Sequence, residues 1–254
     1  MKEIFSKPEC LTDNPLQYCP GCSHGIAHRL VGEVMDELEI MGKSIIVTTI
    51  GCSVRCWRNF NIDAVQGPHG RGMAVATGLK RSLPDRVIFS YQGDGDLAAI
   101  GMGETIHASN RGEGITVIFV NNSVFGATGG QLAPTSLVSQ KTSTYPDGRD
   151  PDIVGPPIHV AELLVSLPYT SYIAREALTN PRRVLRAKRY IKKAFEVQMH
   201  KNEFALVELL GACPPNLKKE PKEALKWVEE EMVGFYPVGE LKTEKTAEKE
   251  TARS

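Results

Sequence analysis

The sequence predicts an α/β fold, a mostly parallel sheet flanked by helices on both faces. Three observations carry this. The runs Val87-Ile88-Phe89-Ser90-Tyr91, Ile115-Thr116-Val117-Ile118-Phe119-Val120 and Phe204 to Leu210 lack the alternation of half-solvated strands, as expected of strands buried on both faces. Stretches of helical periodicity separate them, which is what crossovers between parallel strands require. The first two runs end on polar residues, Gly93-Asp94-Gly95-Asp96 and Asn121-Asn122. Open α/β sheets bind ligands at these carboxyl ends.

Along the chain, the residues up to Ser23 are irregular and rich in Pro and Cys. His24 to Met41 repeats Ile26, Leu30, Val34 and Leu38 at helical spacing, with Ser23 as its expected N-cap. Ile45 to Thr49 reads as a short strand and Gly51 to Gly70 as a loop. Gly72 to Arg81 reads as a small-residue helix, suited to close packing on a sheet or cofactor. Leu97 to Asn110 reads as a helix that closes one β-α-β unit between Asp94 and Asn122. Ser123 to Pro157 has much Gly, Pro, Thr and Ser and little periodicity. A loop of that length inside a compact domain is usually functional. A short helix (His159 to Leu167), a strand (Thr170 to Ala174), a long helix opened by Pro (Pro181 to His200), the strand Phe204 to Leu210 and a helix (Pro221 to Met232) follow. From Leu241 the charged segment reads as a disordered tail, leaving 1–240 as a single domain.

Bulk properties exclude several classes. With 254 residues the chain suffices for one large α/β domain or two small ones, and 30 basic residues balance 30 acidic ones. Zero net charge gives nucleic-acid binding no electrostatic support. No apolar run reaches membrane-spanning length, and Met1 to Pro8 lacks the apolar core of a signal peptide, so a cytoplasmic location is expected. Six cysteines in such a chain argue for metal or redox chemistry before disulfides. The helix from Pro181 carries Arg182, Arg183, Arg186, Lys188, Arg189, Lys192, Lys193 and Lys201 against Glu196. That is either a solvated face or a dock for an acidic ferredoxin or coenzyme A phosphates.

The chemistry starts at the strand ends. A carboxylate and an amide oxygen side by side, Asp94 and Asn122, suit a hard cation such as Mg²⁺. A Gly-flanked turn entering a helix suits a phosphate. Together they describe a metal-bridged diphosphate site, although Asp-Gly is by itself also a common turn. The dinucleotide fingerprint does not fit, because Ala98 stands where its third Gly belongs, and no Walker A loop is present. Cys19-x-x-Cys22 taken alone fits zinc, an iron–sulfur cluster or a redox dithiol. With Cys52 and with Cys213 in Gly211-Ala212-Cys213-Pro214-Pro215, it offers the four thiolates of a [4Fe–4S] cluster. With Cys52-x-x-x-Cys56 it offers a structural zinc site instead.

These motifs resemble those of thiamine diphosphate enzymes, and more closely those of the β subunit of 2-oxoacid:ferredoxin oxidoreductases. The resemblance rests on Tyr18-Cys19-Pro20-Gly21-Cys22, Ile50-Gly51-Cys52-Ser53, His69-Gly70-Arg71, Gln92-Gly93-Asp94-Gly95-Asp96, Asn121-Asn122 with the Gly-rich segment to Gln131, and Cys213. It implies Mg²⁺ held by Asp94, the Asn122 side chain and the Val124 carbonyl. It implies that backbone around Gly51, Cys52, Ser53 and Asp96 holds diphosphate, with Gly93, Gly95 and Gly126 in the same cofactor-binding set. It places His69, otherwise a helix-entry residue, beside the thiazolium or diphosphate as the catalytic candidate. It assigns the [4Fe–4S] cluster to Cys19, Cys22, Cys52 and Cys213, and leaves Cys10 and Cys56 as apolar spectators.

The implied reaction is coenzyme A-dependent decarboxylation of a 2-oxoacid to acyl-CoA and CO₂, with electrons passed to ferredoxin. The activating Glu of such enzymes lies on a pyrimidine-binding domain that this chain has no room for. An α subunit is therefore expected, with a separate ferredoxin-like subunit compatible. Some relatives carry a Lys after Asn-Asn that meets a distal substrate carboxylate, whereas Phe125 to Gln131 has none. Arg149 or a partner residue could supply that charge, and Ala127 could leave room for a branched-chain or aryl group. The expectation favours 2-oxoglutarate. Two other classes stay open: a non-oxidative thiamine diphosphate decarboxylase or synthase subunit with a zinc site, and a zinc-stabilised regulatory subunit.

Overall fold

The computed structural model describes residues 6–243. Helix α1 (His24–Glu37) leads through a 3₁₀ turn into β1 (Ser44–Thr48). A second 3₁₀ turn (Cys56–Asn59) precedes β2 (Asp63–Gln66), α2 (Gly72–Ser82) and β3 (Val87–Gly93). A π-helical stretch (Gly95–Ile100) runs into α3 (Met102–Asn110), and β4 (Ile115–Asn121) follows. The long connection holds a small antiparallel ribbon of β5 (Val124–Phe125) with β6 (Gln131–Leu132), then α4 (Pro151–Val154). The chain continues through α5 (Val160–Val165), β7 (Thr170–Ala177), α6 (Pro181–Lys201), β8 (Phe204–Leu210), α7 (Pro214–Leu217), α8 (Pro221–Trp227), a π-helical stretch (Val228–Met232), α9 (Val233–Phe235) and β9 (Gly239–Lys242).

Seven strands form one sheet in the order β2-β1-β3-β4-β8-β7-β9, all parallel except β9, which runs antiparallel on β7. Every residue of β4 and β8 is buried, as the uninterrupted apolar runs predicted. One face packs on α1 and α6, with Leu30, Val34, Ile191 and Phe195 against Phe89, Ile118 and Val207. The other packs on α2, α3 and α5, with Ala76, Ala108 and Leu164 among Ile88, Val117, Phe119 and Leu206. The period-2 alternation of strand side chains sends Phe89 and Ile88, or Ile118 and Val117, to opposite cores. This parallel arrangement brings the carboxyl ends of β1, β3, β4 and β8 to one edge.

Several elements differ from the sequence expectation. The stretch read as a loop contains β2, an exposed polar edge strand. Strand β9 covers Leu241 and Lys242, so the tail does not begin at Leu241: Lys242 is buried and its ammonium donates to the Val165 and Leu167 carbonyls. From residue 244 on, the expected tail lies outside the described residues. Ser23 precedes α1 without a side-chain cap, because its hydroxyl accepts from the Ala212 amide at 2.8 Å. Most of the α6 cations are paired and not merely solvated. Arg183 pairs with Glu176 and Glu229, Arg186 with Glu176, Lys188 with Glu33 and Glu37, Lys192 with Glu37, and Lys193 with Glu240. Five of the eight expected docking cations thus staple α6 to its neighbours. No helix among the described residues is long and apolar enough to cross a membrane.

Candidate functional site

A cleft of about 90 Å³ opens at the strand ends, lined among others by His24, Gly51, Cys52, His69, Asp94, Asp96 and Asn122. Larger clefts of about 740 and 810 Å³ lie elsewhere, and neither is lined by a histidine or cysteine.

The cleft floor is the turn after β3. Asp94 caps the helix that follows, its Oδ1 accepting from the Gly95 amide at 2.8 Å. Its Oδ2 accepts from the Thr135 hydroxyl at 2.8 Å, so the long loop folds back onto the site. Only glycine fits position 95, where a Cβ would stand 2.4 Å from the Phe125 ring. The helix opens with a π-helical stretch, a distortion common at functional sites. Burial pushes the Asp94 carboxyl up to about 7, against these two donors. Beside it the Asn122 Oδ1 is buried with no hydrogen-bond partner. A buried carboxylate short of positive charge and an orphaned carbonyl oxygen are what an oxygen-seeking cation would satisfy. The donor set fits Mg²⁺.

Asn122 is held from behind. The Asn121 amide donates to buried Glu208 at 2.7 Å, and its oxygen accepts from the Ser123 amide at 3.1 Å. Ser123 sits at φ +60° in the left-handed region, a conformation that costs a non-glycine residue and is held by its surroundings. The Ser136 hydroxyl and the Gln140 amide donate to its carbonyl at 2.5 and 3.2 Å.

Asp96 has a different task. Its Oδ1 accepts from His69 Nδ1 at 2.5 Å and from the Gly70 amide at 2.7 Å. Its Oδ2 accepts from Thr49 and Gln92. With four donors the carboxylate is saturated; it orients the His69 ring, whose side chain remains 30% exposed at the cleft mouth. Ser53, at the end of the Gly51 turn, has a buried hydroxyl without a partner, as a group awaiting a phosphate oxygen would.

The sulfurs converge on the other wall. Ser23 and Ala212 exchange two hydrogen bonds, which draws the Cys22 and Cys213 segments together. A Cβ at Gly126 would stand 3.2 Å from Cys52 Sγ and 3.6 Å from Cys213 Sγ. Burial pushes the Cys52 thiol up to about 12, with Cys22, Cys213, Cys19 and Asp94 adding repulsion. Burial likewise pushes Cys22 up to about 11, with Cys213 and Cys19 contributing. Four thiols gathered on one wall suit the wider span of an iron–sulfur cluster better than a single ion. Among the described residues no three Cys, His, Asp or Glu side chains close around a single-ion position. Cys10 and Cys56 are buried in the α1-side core with Phe60, and the Cys10 thiol faces the Gly32 carbonyl.

Two further residues belong to the site without having been expected there. His24 lines the cleft, its Nδ1 3.0 Å from the Tyr91 hydroxyl and its ring stacked on Tyr18. Burial pulls it down to about 4, so it is a neutral imidazole at pH 7. Its one sequence signal was its place directly after Cys22-Ser23. Thr135 carried no signal within the loop. Arg149, by contrast, is not free to serve as a substrate cation. It is buried and donates to the carbonyls of Ala133, Pro134, Ser136, Val154, Gly155 and Pro156.

Comparison with known proteins bears on this geometry. The model of the thiamine pyrophosphate enzyme C-terminal TPP-binding domain matches residues 43–209. Ketoisovalerate oxidoreductase subunit VorA of Methanothermobacter thermautotrophicus is 45% identical over 247 residues, which cover 93% of this chain and 52% of that protein. The chain thus spans about half the length of that relative and of its 44% identical counterpart from Methanothermobacter marburgensis. The 2-oxoglutarate synthase subunit KorB of Archaeoglobus fulgidus is 35% identical, covering 85% of this chain and 76% of its own length. A 2-oxoglutarate:ferredoxin oxidoreductase from Magnetococcus marinus, solved with 2-oxoglutarate, coenzyme A and succinyl-CoA bound, superposes with a TM-score of 0.77 at 24% identity. It covers 95% of this chain and 86% of the solved one, and at that identity it speaks for the fold.

Proposed function

On the premise that the chain belongs to the thiamine pyrophosphate-binding β subunits of the 2-oxoacid:ferredoxin oxidoreductase family, we propose that it is the cofactor- and cluster-bearing half of an enzyme that converts a 2-oxoacid and coenzyme A to acyl-CoA and CO₂, with electrons delivered to ferredoxin. One observation carries this reading. The cation-poor Asp94 and the partnerless Asn122 oxygen share a cleft with Cys52, whose sulfur, like that of Cys213, lies beside Gly126. A diphosphate–metal end and a sulfur end within one cleft suit a thiamine enzyme that releases electrons singly.

Bound there, thiamine diphosphate would supply the nucleophile and electron sink for decarboxylation, and a [4Fe–4S] cluster would accept single electrons. In this reading Asp94, the Asn122 side chain and the Val124 carbonyl hold Mg²⁺. The Gly51, Cys52 and Ser53 turn, with backbone from Gly93, Gly95, Asp96 and Gly126, receives the diphosphate at a helix start. Asp96 fixes the His69 tautomer, leaving Nε2 toward the cleft mouth as a hydrogen-bonding group for cofactor or substrate. Cys19, Cys22, Cys52 and Cys213 take the cluster. His24, kept neutral, packs between the cofactor wall and the cysteine segment.

The cleft is too small for a whole cofactor, since ligand pockets commonly run to about 300–1,000 Å³. Its carboxylates, Asp94 and Asp96, are both engaged in this reading, so neither is free to activate the cofactor. Both points support an α subunit that covers the site and adds the activating acid.

For the substrate we favour a 2-oxoacid with an apolar branched side chain over 2-oxoglutarate. Among the described residues no Lys or Arg lines the cleft, while Ile50, Val124, Phe125 and Ala127 do. Arg149, the candidate cation, is spent on six carbonyls. The VorA relatives are also more similar to the chain than KorB is. The test is purification with the partner subunit, iron, sulfide and zinc analysis, and ferredoxin reduction with coenzyme A across a 2-oxoacid panel. Brown protein with about four irons, and highest kcat/KM on 3-methyl-2-oxobutanoate, is the expected result. Preference for 2-oxoglutarate would overturn the substrate reading. Stoichiometric zinc with no iron would overturn the redox reading.

A further inference from the structure

We propose that Asn216 tunes the reduction potential of the cluster by donating an N–H hydrogen bond to the sulfur of Cys213, and that it ties this ligand to the cofactor loop through Gly126. The inference rests on the cluster assignment made above. Cys213 precedes α7, whose first two residues are Pro214 and Pro215. The prolines preset φ for the helical turn, and the Leu217 amide closes it on the Cys213 carbonyl at 3.0 Å. That turn swings the side chain three residues on back over its start. Asn216 Nδ2 thereby lies 3.2 Å from Cys213 Sγ and 3.1 Å from the Gly126 carbonyl oxygen.

The orientation of the amide follows from its neighbours. A carbonyl oxygen only accepts, so the Asn216 group facing Gly126 must be its NH₂. That NH₂ has two hydrogens, one for each acceptor. Gly130 leaves room for the other end of the amide, since a Cβ there would stand 2.6 Å from Asn216 Oδ1. Reduction adds negative charge that spreads onto the ligand sulfurs. A donor fixed on one of them stabilises the reduced state and raises the potential. Gly126 lines the cofactor cleft, so the same side chain holds the cluster ligand in register with the cofactor wall.

The test uses the complex assembled with its partner subunit. Asn216→Leu keeps the volume and removes the donor. Asn216→Asp keeps the shape and places a carboxylate oxygen by the sulfur. Asn216→Gln retains an NH₂ donor. Iron and sulfide are assayed first, and the cluster midpoint is then read by potentiometric titration followed by electron paramagnetic resonance. The expected result is full cluster content and a lower midpoint in the leucine variant. The shift should equal about a tenfold change in the reduced-to-oxidised ratio, or about 59 mV for one electron. The aspartate variant should fall further and the glutamine variant should recover at least half of the loss.

An unchanged midpoint in cluster-replete leucine and aspartate variants overturns the proposal. So does loss of iron from both variants, which would make Asn216 a holder of the cluster and not its tuner. Loss from the leucine variant alone moves the measurement to the aspartate variant. A wild-type complex without iron and sulfide refutes the site reading itself, which separates the two failures.

Discussion

Replacing Arg175 with Met should cost about 3–5 kcal/mol, because it strands a buried carboxylate. The Arg175 side chain is fully buried in the middle of β7. Its Nε donates to Glu208 at 2.8 Å, its terminal nitrogens donate to Glu162 at 2.7 and 2.6 Å, and one of them also reaches the Pro237 carbonyl at 3.0 Å. The guanidinium also sits 5.3 Å from the Tyr236 ring centroid. Glu208 is only 1% exposed, and without Arg175 it keeps Asn121 as its one remaining side-chain donor. Glu162 is 40% exposed and can turn to water, so most of the loss falls on Glu208. A loss of that size is a large share of the roughly 5–15 kcal/mol that stabilises a domain. The assay is equilibrium urea unfolding followed by far-UV circular dichroism, with Arg175→Met, Glu208→Leu and the double variant compared. The double variant removes both charges but orphans the Asn121 amide, so it should lie only about 1–3 kcal/mol below wild type. If Arg175→Met falls within 1 kcal/mol of wild type, or if the double variant loses the sum of the singles, the charge argument is wrong.

Asp94→Asn should abolish Mg²⁺-dependent thiamine diphosphate binding by calorimetry while raising the unfolding midpoint of the metal-free chain at pH 8. The sign follows from the raised carboxyl: the folded chain holds that proton up to about pH 7, so above it the bare charge costs stability, on the order of 1–4 kcal/mol. Cys213→Ser should lose most of the iron, whereas Cys56→Ser should retain it and lose only core stability, read by iron analysis and thermal unfolding. Between α1 and α6, burial opposes ionisation of Glu33, but hydrogen bonds from Lys188 and Arg29 hold its carboxyl below the usual range; bonds from Lys188 chiefly, and from Lys192, lower that of Glu37. Depressed carboxyls contribute stability above their ordinary range near pH 4.5 and lose it as pH falls. Wild type should therefore destabilise more than Lys188→Met between pH 6 and 3.5, by about 0.2–1 kcal/mol for each of these half-exposed pairs at low salt.

The parallel core was legible because β4 and β8 have no solvated face, so their sequence had to be continuously apolar. Edge strands escaped for the opposite reason. Asp63 to Gln66 hydrogen-bonds on one side only and is mostly exposed, and β9 runs into the charged segment from Leu241 that reads as tail. Asp94, Asp96, Asn122, Cys52 and Cys213 were legible because strand ends and glycine turns announce themselves in one dimension. The residues that hold them were not. Thr135 reaches Asp94 from a distant segment, Tyr236 and Arg175 stand behind it, and a hydrogen bond between remote residues leaves no spacing to read.

Those hidden residues explain why an Asn pair, and not a single Asn, closes β4. From Asp94 the chain of contacts runs through the Thr135 hydroxyl, then the Tyr236 hydroxyl on the Thr135 carbonyl at 2.8 Å, then the Arg175 guanidinium against the Tyr236 ring. Arg175 grips Glu208, and Glu208 accepts from Asn121. The circuit thus starts at one candidate cation ligand and ends on the residue next to the other. Asn121 turns to Glu208 to complete it, while Asn122 lines the cleft. A parallel strand alternates its side chains between two faces, so consecutive asparagines divide the labour: the first anchors to the buried acid, the second presents its oxygen to the cleft. The strain at Ser123 is offset by Ser136 and Gln140 on its carbonyl, which makes the long loop part of the same construction. A site built this way is positioned before any ligand arrives, and the buried charges of β7 and β8 serve the placement of two oxygens at the far end of β3 and β4.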